Sequence, residues 1–253
     1  MLVMKLLLLV LVATAFADDF DTYKRLHPEE FSGKLEGDIA VRPGEENQVY
    51  NAIVDRSRRW TNGIVPYEIS DAFDAARVLR IEEGIDTLNS QTRVNGQQCI
   101  NIIPHTNEVD YIYIDQLSGC WSFIGRSGGE QDLSIGRGCE RIGTVMHEIL
   151  HAMGFYHEQS RSDRDNFVII NYDNIRSGSE RNFRRMEEGT IDLLNTSYDY
   201  NSCMHYGAYS FAVDRTIPTI ITIDPDAEIG QRTRLSTLDI QRVQKLYDCI
   251  PTE

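Results

Sequence analysis

Between His147 and His157 the chain reads His147-Glu148-Ile149-Leu150-His151-Ala152-Met153-Gly154-Phe155-Tyr156-His157, and this run constrains the fold more than any other stretch. The segment Ile142–Met153 is apolar nearly all round, which predicts a buried helix. On a helix, residues four apart are separated by ~400° of turn and ~6 Å of rise, so the rings of His147 and His151 share one face. Two neutral imidazoles placed in this way supply half of a tetrahedral zinc site. Glu148 lies ~100° round from His147, beside such an ion rather than on it. That position suits a base acting on a water that the metal polarises. If the helix ran on, His157 would sit ~15 Å up the axis and ~80° off the face. Gly154 removes the difficulty, because glycine takes φ > 0 without a steric penalty and lets the chain turn back. The pattern H-E-x-x-H-x-x-G-x-x-H therefore brings three imidazoles to one ion.

At the N-terminus, Lys5, the apolar run Leu6–Val12 and the small-x-small site Ala15-Phe16-Ala17 have the layout of a secretory signal peptide, 1–17, removed after Ala17. The run is too short to span a bilayer, and no later stretch approaches ~20 apolar residues. The expectation is a secreted, extracellular protein with no membrane partner. In an oxidising compartment four of the five cysteines (Cys99, Cys120, Cys139, Cys203 and Cys249) should form two disulfides, with the pairing left open by the residues alone. Asn195-Thr196-Ser197 is an acceptor sequon for a glycan on Asn195. The formal charge of −14 argues against nucleic-acid binding, which needs a basic face, and against electrostatic docking on anionic membranes.

With 253 residues, 41% hydrophobic and 25% charged, the chain is of ordinary globular composition and long enough for a substantial core. Residues 18–50 are acidic and polar, without a sustained apolar period, and read as an extended segment. From residue 51 onward the character changes. Strands are predicted at Ile64–Ile69, Ile100–Pro104, Asp110–Asp115, Ser122–Gly125 and Gln131–Ile135. Helices are predicted from Ala72 to Asn89 with Asp71 as N-cap, and from Ser236 to Asp248 with Ser236 as cap; Asn174–Glu188 is a candidate for another. Mixed strands, a central helix and an irregular second half imply an α+β catalytic-sized domain of two lobes.

Further motifs surround the histidines. Ser202-Cys203-Met204-His205-Tyr206 has the form S-x-M-H-Y, and Glu158-Gln159-Ser160-Arg161-Ser162-Asp163-Arg164-Asp165 continues from His157. Trp60–Tyr67, Gly119–Arg126 and Gly230-Gln231-Arg232 with Leu235-Ser236 complete the set. Together they resemble the astacin family of zinc metalloendopeptidases, within the metzincin clan, over residues 51 to 249. The one departure in Trp60–Tyr67 is Thr61, where proline is common.

The resemblance implies a two-lobed metzincin fold, with a twisted mixed sheet and the active-site helix above and an irregular half with the C-terminal helix below. It implies one Zn2+ held by His147, His151 and His157, with Glu148 as general base and Met204 as an apolar floor. Tyr206 would be a further zinc ligand that swings off to donate to the oxyanion when substrate binds. His205 and Gly154 would be structural. Leu35-Glu36-Gly37-Asp38 is similar to the family's F-x-G-D motif, with Leu35 in place of Phe; Asp38 would bind zinc in the zymogen only. This makes 18–50 a propeptide removed by an activating protease, with the mature N-terminus at Asn51 and Arg58-Arg59 as a rival cut. The new ammonium would reach Glu158. By resemblance, Cys99 pairs with Cys249 and Cys120 with Cys139, leaving Cys203 as a buried thiol.

The partners expected are extended protein or peptide substrates, pairing with an exposed edge strand for which Gln131–Ile135 is the candidate. Arg232, ahead of Arg234, is the candidate for a basic side chain in the pocket for the residue after the scissile bond. A single monomeric catalytic domain, 51–253, is expected, without the EGF-like or CUB regions of tolloid and meprin architectures. The alternatives are a non-catalytic secreted zinc-binding module, against which Glu148 argues, and a metzincin of another family, against which Glu158 and the S-x-M-H-Y turn argue.

Overall fold

The computed structural model describes residues 22–23, 27–42 and 55–252. The signal peptide expected at 1–17 and the cut expected between Tyr50 and Asn51 fall outside them. Six strands form one mixed sheet: β1 (Ile39–Ala40), β2 (Ile64–Ile69), β3 (Asn101–Pro104), β4 (Tyr111–Asp115), β5 (Cys120–Phe123) and β6 (Glu130–Ile135). Their order across it is β1-β5-β6-β4-β2-β3. β2, β3, β4 and β6 run parallel; β5 is antiparallel to β6, and β1 lies parallel to β5. Alternation along β4 turns Ile112 and Ile114 inward and leaves Tyr111 and Tyr113 half-buried, the period-2 signature of a sheet covered on one face.

β6 is therefore not the edge that the sequence suggests, because it is paired on both sides. The turn after β4 folds β5 back outside it, and the Cys120–Cys139 bridge braces that arrangement. The sheet ends in β3 on one side and in β1 on the other, where β1 covers β5 with Ile39 opposite Ser122 and Ala40 opposite Phe123.

Helix α1 spans Ala75–Gln91 rather than Ala72–Asn89. Ser70–Phe73 closes a turn of its own through Phe73 N–H to the Ser70 carbonyl, so the cap passes from Asp71 to Asp74, whose Oδ1 accepts from Arg77 N–H at 3.0 Å. Helix α2 is Ile142–Ala152, with every residue from Gly143 to Ala152 buried. Helix α3, Thr237–Leu246, opens on a capping box in which Ser236 and Asp239 satisfy each other's backbone N–H groups. Between α2 and α3 the chain carries a two-stranded sheet, β7 (Val168–Ile170) with β8 (Ile220–Thr222), and short 3-10 turns. The helix considered for 174–188 reduces to turns at Tyr172–Asn174 and Glu180–Phe183. There Gly178 takes φ +89, and the Asn174 side chain ties to the Asp214 and Ile217 carbonyls instead of continuing a helix.

One large core joins Ile112, Ile114 and Leu133 of the sheet to Ile81, Ile85 and Leu88 of α1 and to Val145, Met146 and Ile149 of α2. Each such side chain contributes about 1.5–3 kcal/mol on burial. A second, smaller cluster gathers Phe183, Tyr198, Tyr206, Phe211 and Ile220 in the irregular half. The C-terminal carbonyls of α2 find donors from three directions. Gly125 N–H reaches the His151 carbonyl at 2.9 Å, Trp60 Nε1 that of Ala152 at 2.8 Å, and the Tyr247 hydroxyl that of Met153 at 3.1 Å. The Cys99–Cys249 disulfide, closing 150 residues, ties the end of the chain to the sheet and is worth ~4–5 kcal/mol in the chain-entropy model. Among the described residues, no helix is long and apolar enough to cross a membrane.

Candidate metal centre

Helix α2 carries His147 and His151 on one face, and its end is set by Gly154 at φ +113. Gly154 N–H bonds the His151 carbonyl and Phe155 N–H that of Leu150, which reverses the chain and returns His157 beside the other two rings. The Nε2 atoms of His151 and His157 lie 3.1 and 3.3 Å from that of His147. Asp38 meets the same point: its Oδ2 is 3.1 Å from His147 Nε2 and 3.3 Å from His157 Nε2, and its Oδ1 is 3.5 Å from His151 Nε2. All four residues are buried.

Those separations decide what the cluster is for. Ligand atoms at ~2.0–2.1 Å from a tetrahedral zinc stand ~3.3 Å from one another, which is the spacing of this set. The other ring nitrogens are engaged: His147 Nδ1 with the Cys203 carbonyl at 2.9 Å, His151 Nδ1 with the Phe155 carbonyl at 2.7 Å, and His157 Nδ1 with Glu36 Oε2 at 2.7 Å. With Nδ1 donating, each Nε2 turns a lone pair inward. Three converging lone pairs and a buried Asp38 Oδ1 without a donor are a cage that a cation completes. Burial pushes the His147 and His151 pKa values down, toward the neutral, ligating form. Against burial, the Asp38 and Glu36 carboxylates hold His157 up at about 9.

Glu148 is fully buried beside this set, and both of its carboxylate oxygens lack a donor. Burial, with the Asp38 and Glu29 charges, raises its pKa well above the usual carboxylate range. The Tyr206 hydroxyl donates to the Glu36 backbone carbonyl, and its ring centroid stands 4.6 Å from that of His157. Met204 is buried and lines, with Leu150, Phe155 and His157, a cavity of about 40 Å³, and its carbonyl accepts from Glu158 N–H at 3.1 Å. Glu158 Oε1 and Oε2 accept from Arg242 at 2.8 and 2.6 Å, and Oε1 from Asp199 N–H at 2.7 Å. Residue 51, whose ammonium the family resemblance would bring to Glu158, is outside the described residues. Cys203 is unpaired and buried, its Sγ 3.3 Å from the Gly143 carbonyl. His205 is buried between the Tyr198 hydroxyl and the Tyr206 carbonyl, both at 2.7 Å. Asn195 is exposed on a turn with φ +47.

Beside the metal centre lies a cavity of about 350 Å³ lined by Asp38, Tyr206, Arg141, Arg232 and Glu29. Arg232 Nη1 donates to the His205 carbonyl at 2.8 Å, while its Nε is buried without an acceptor. Arg234 is exposed and donates from its backbone to Gln231.

Sequence reasoning did not single out four residues that organise the site. Gln159 Oε1 takes Tyr206 N–H at 3.1 Å, and Glu36 reaches His157. Asp239 bonds Ser202 Oγ and Cys203 N–H at 2.6 and 2.8 Å, fixing the turn that carries Met204. Arg242 holds Glu158. A signal for the last pair exists: Asp239 and Arg242 share the buried stripe of α3 with Val243 and Leu246, where apolar residues would otherwise stand.

A family model described as Astacin, a peptidase family, matches residues 52–248. Meprin A subunit beta of Homo sapiens is 40% identical over 252 residues, covering 96% of this chain and 34% of that protein. Zinc metalloproteinase nas-15 of Caenorhabditis elegans is 39% identical, covering 81% of this chain and 35% of that protein. The chain thus spans about a third of the length of these relatives. Among solved structures, high choriolytic enzyme 1, a hatching enzyme zinc-protease from Oryzias latipes, superposes with a TM-score of 0.71 at 41% identity, covering 78% of this chain and 97% of that one. A family model matching residues 52–248, an α+β fold superposing on such a structure and a histidine cage of zinc dimensions place the chain in the astacin family.

Proposed function

We propose that this chain is a secreted zinc endopeptidase made as a zymogen, acting on extended protein or peptide substrates. The observation that carries the reading is the convergence of three Nε2 lone pairs and Asp38 on one point at 3.1–3.5 Å, with every Nδ1 tied off. His147, His151 and His157 would hold one zinc per chain, joined by Asp38 in the zymogen and by Tyr206 after cleavage. Zinc, when bound, supplies a Lewis acid that polarises the scissile carbonyl and acidifies water. Residues 1–17 would be the signal peptide, 18–50 the propeptide and 51–253 the catalytic domain. A monomer is the form proposed.

The chain's own groups divide the chemistry. Glu148, buried and without donors, takes a proton from the attacking water and passes it to the leaving amine. Tyr206 is held by the Glu36 carbonyl while the propeptide is in place. Its loss frees the hydroxyl to donate to the oxyanion that develops on the scissile carbonyl. Met204 packs beneath the rings. The β5 edge, covered by β1, becomes the backbone template along which substrate pairs. An activating protease would cut before Asn51, and the ammonium released would reach Glu158 in the cavity it shares with Arg242. The two disulfides suit an oxidising compartment, and the exposed Asn195 suits a glycan.

Zinc content by atomic absorption and peptide hydrolysis, measured on the same protein before and after propeptide removal, test this reading. One zinc per chain in both forms, with hydrolysis only after cleavage, is expected. Zinc without hydrolysis in the cleaved protein points to the non-catalytic alternative.

A further inference from the structure

The propeptide places two carboxylates in the metal centre, and only one of them faces the point where the imidazoles converge. Asp38 meets the three Nε2 atoms. Glu36, two residues earlier, comes from the other side of the cage: its Oε2 lies 2.7 Å from Nδ1 of His157. Its side chain is 1% exposed, so this carboxylate has been taken out of water to make that contact. The backbone pays for the placement, since Glu36 is a non-glycine residue at φ +47 and the next residue, Gly37, is at φ +87. A Cβ on Gly37 would stand 2.9 Å from the Phe211 ring and 3.0 Å from the Glu29 carbonyl, so the turn admits no side chain there. Gly37 N–H to the Lys34 carbonyl, with paired bonds between Leu35 and Ile39, closes the loop. The Glu36 carbonyl accepts from Tyr206. A strained residue locked at both ends, with its carboxylate on one imidazole, is a constraint with a purpose.

His147 and His151 orient their rings against backbone carbonyls of Cys203 and Phe155, which remain when the propeptide leaves. His157 alone takes its Nδ1 partner from the propeptide. A carboxylate accepting from Nδ1–H fixes the tautomer, aims Nε2 and makes the imidazole a stronger donor to metal; loss of such a partner typically costs 10–100-fold in metal affinity.

We infer that Glu36 is a positioning residue for the zinc centre, lent by the propeptide, so that the proenzyme holds zinc more tightly than the cleaved enzyme for a reason separate from Asp38. The inference rests on the zinc-zymogen reading above. It implies that the precursor is the form in which metal is loaded and kept, and that cleavage loosens the His157 ligand as it exposes the site.

The test is zinc release from intact proenzyme into excess chromogenic chelator, comparing wild type, Glu36→Ala, Glu36→Gln and Asp38→Ala, with zinc per chain measured first. Glu36→Ala is expected to release zinc about 10–100-fold faster than wild type. Glu36→Gln, which keeps an acceptor oxygen but not the charge, is expected to fall between them. Glu36→Gln also guards against a loop that fails to form in the alanine variant. A propeptide that stays protected from limited proteolysis in Glu36→Gln while release quickens separates ring orientation from simple undocking. After cleavage, wild type and both Glu36 variants are the same chain and should release zinc at one common, faster rate. Release from both Glu36 proenzymes within twofold of wild type, with Asp38→Ala fast, overturns the role of Glu36 alone. Absence of zinc from the wild-type proenzyme overturns the zinc reading beneath it.

Discussion

Arg242 on α3 grips Glu158, the residue after the third histidine, through two hydrogen bonds of 2.6 and 2.8 Å between buried groups. This pair does more than neutralise charge. Glu158 N–H bonds the Met204 carbonyl, and its carboxylate takes Asp199 N–H, so the grip links α3, the chain beyond His157 and the methionine turn. Burial raises the Glu158 pKa, and the Arg242 and Arg161 charges oppose that rise. Removing the guanidinium leaves a buried carboxylate short of its main partner. Arg242→Ala should therefore cost about 3–5 kcal/mol of stability, read as a drop in the denaturation midpoint at unchanged slope. A loss under 1 kcal/mol would show that water replaces the arginine.

Glu148→Gln should keep its zinc and lose about 10²–10⁴-fold in kcat, because an amide fills the same space but cannot take the proton of water. Metal analysis run beside the hydrolysis assay separates this from loss of the ion. Turnover within tenfold of wild type would remove Glu148 as the base.

The meeting of His147, His151 and His157 is legible in the sequence because helical period and one glycine settle it locally. The same holds for the Ser236 cap, whose partner Asp239 is three residues away. What escapes a sequence reading depends on distant neighbours. Whether a strand is an edge is a property of what pairs beside it, and β6 looks no different as a strand buried between β5 and β4 than it would at the rim. Glu36 gives no signal because the ring it touches is 121 residues away. Asp71 and Asp74 are equally good caps on paper, and only the turn at Ser70–Phe73 chooses between them.

His205 gives the fold an acid-sensitive point. Burial pushes its pKa down to about 3, with the Arg232, His157 and Arg242 charges adding to the effect and the Tyr206 carbonyl opposing it. An unfolded histidine titrates near 6.5, so between these values the unfolded chain binds a proton that the folded one refuses. The stabilisation is full above pH ~6.5 and is lost as pH falls toward 3, by up to about 1.4 kcal/mol per pH unit. His205→Asn should lower Tm at pH 7, with the gap to wild type closing as pH drops to 4. Parallel Tm curves would place the acid sensitivity elsewhere.

Asp38→Ala should leave the uncleaved precursor partly active. Among the described residues of the segment 18–50, this carboxylate alone meets all three Nε2 atoms, and its removal opens that position to water. Hydrolysis of a short peptide by the uncut variant, verified intact by gel before and after the assay, is the measurement. A silent variant with zinc still bound would mean that β1 on the β5 edge and Tyr206 on Glu36 suffice to block the cleft.

Arg232 should set the preference for the residue after the scissile bond. Its side chain reaches the cavity beside Asp38 and Tyr206, one nitrogen is spent on the His205 carbonyl, and Nε is buried without an acceptor. A guanidinium with unspent donors in a half-enclosed space favours a carboxylate through charge-assisted, potentially bidentate bonds. In the intact chain that cavity is already lined by a carboxylate of the N-terminal segment, Glu29, whose pKa burial raises and the Arg232 charge lowers. Arg234 is exposed and does not line that cavity. Cleavage-site profiling of the activated enzyme should show Asp or Glu enriched after the cut. Arg232→Ala should lower kcat/KM for acidic substrates about 10–100-fold, the equivalent of one or two charge-assisted bonds, while sparing neutral ones. Arg234→Ala should leave both unchanged. A wild-type preference for small or apolar residues at that position would end the assignment, whatever the variants do.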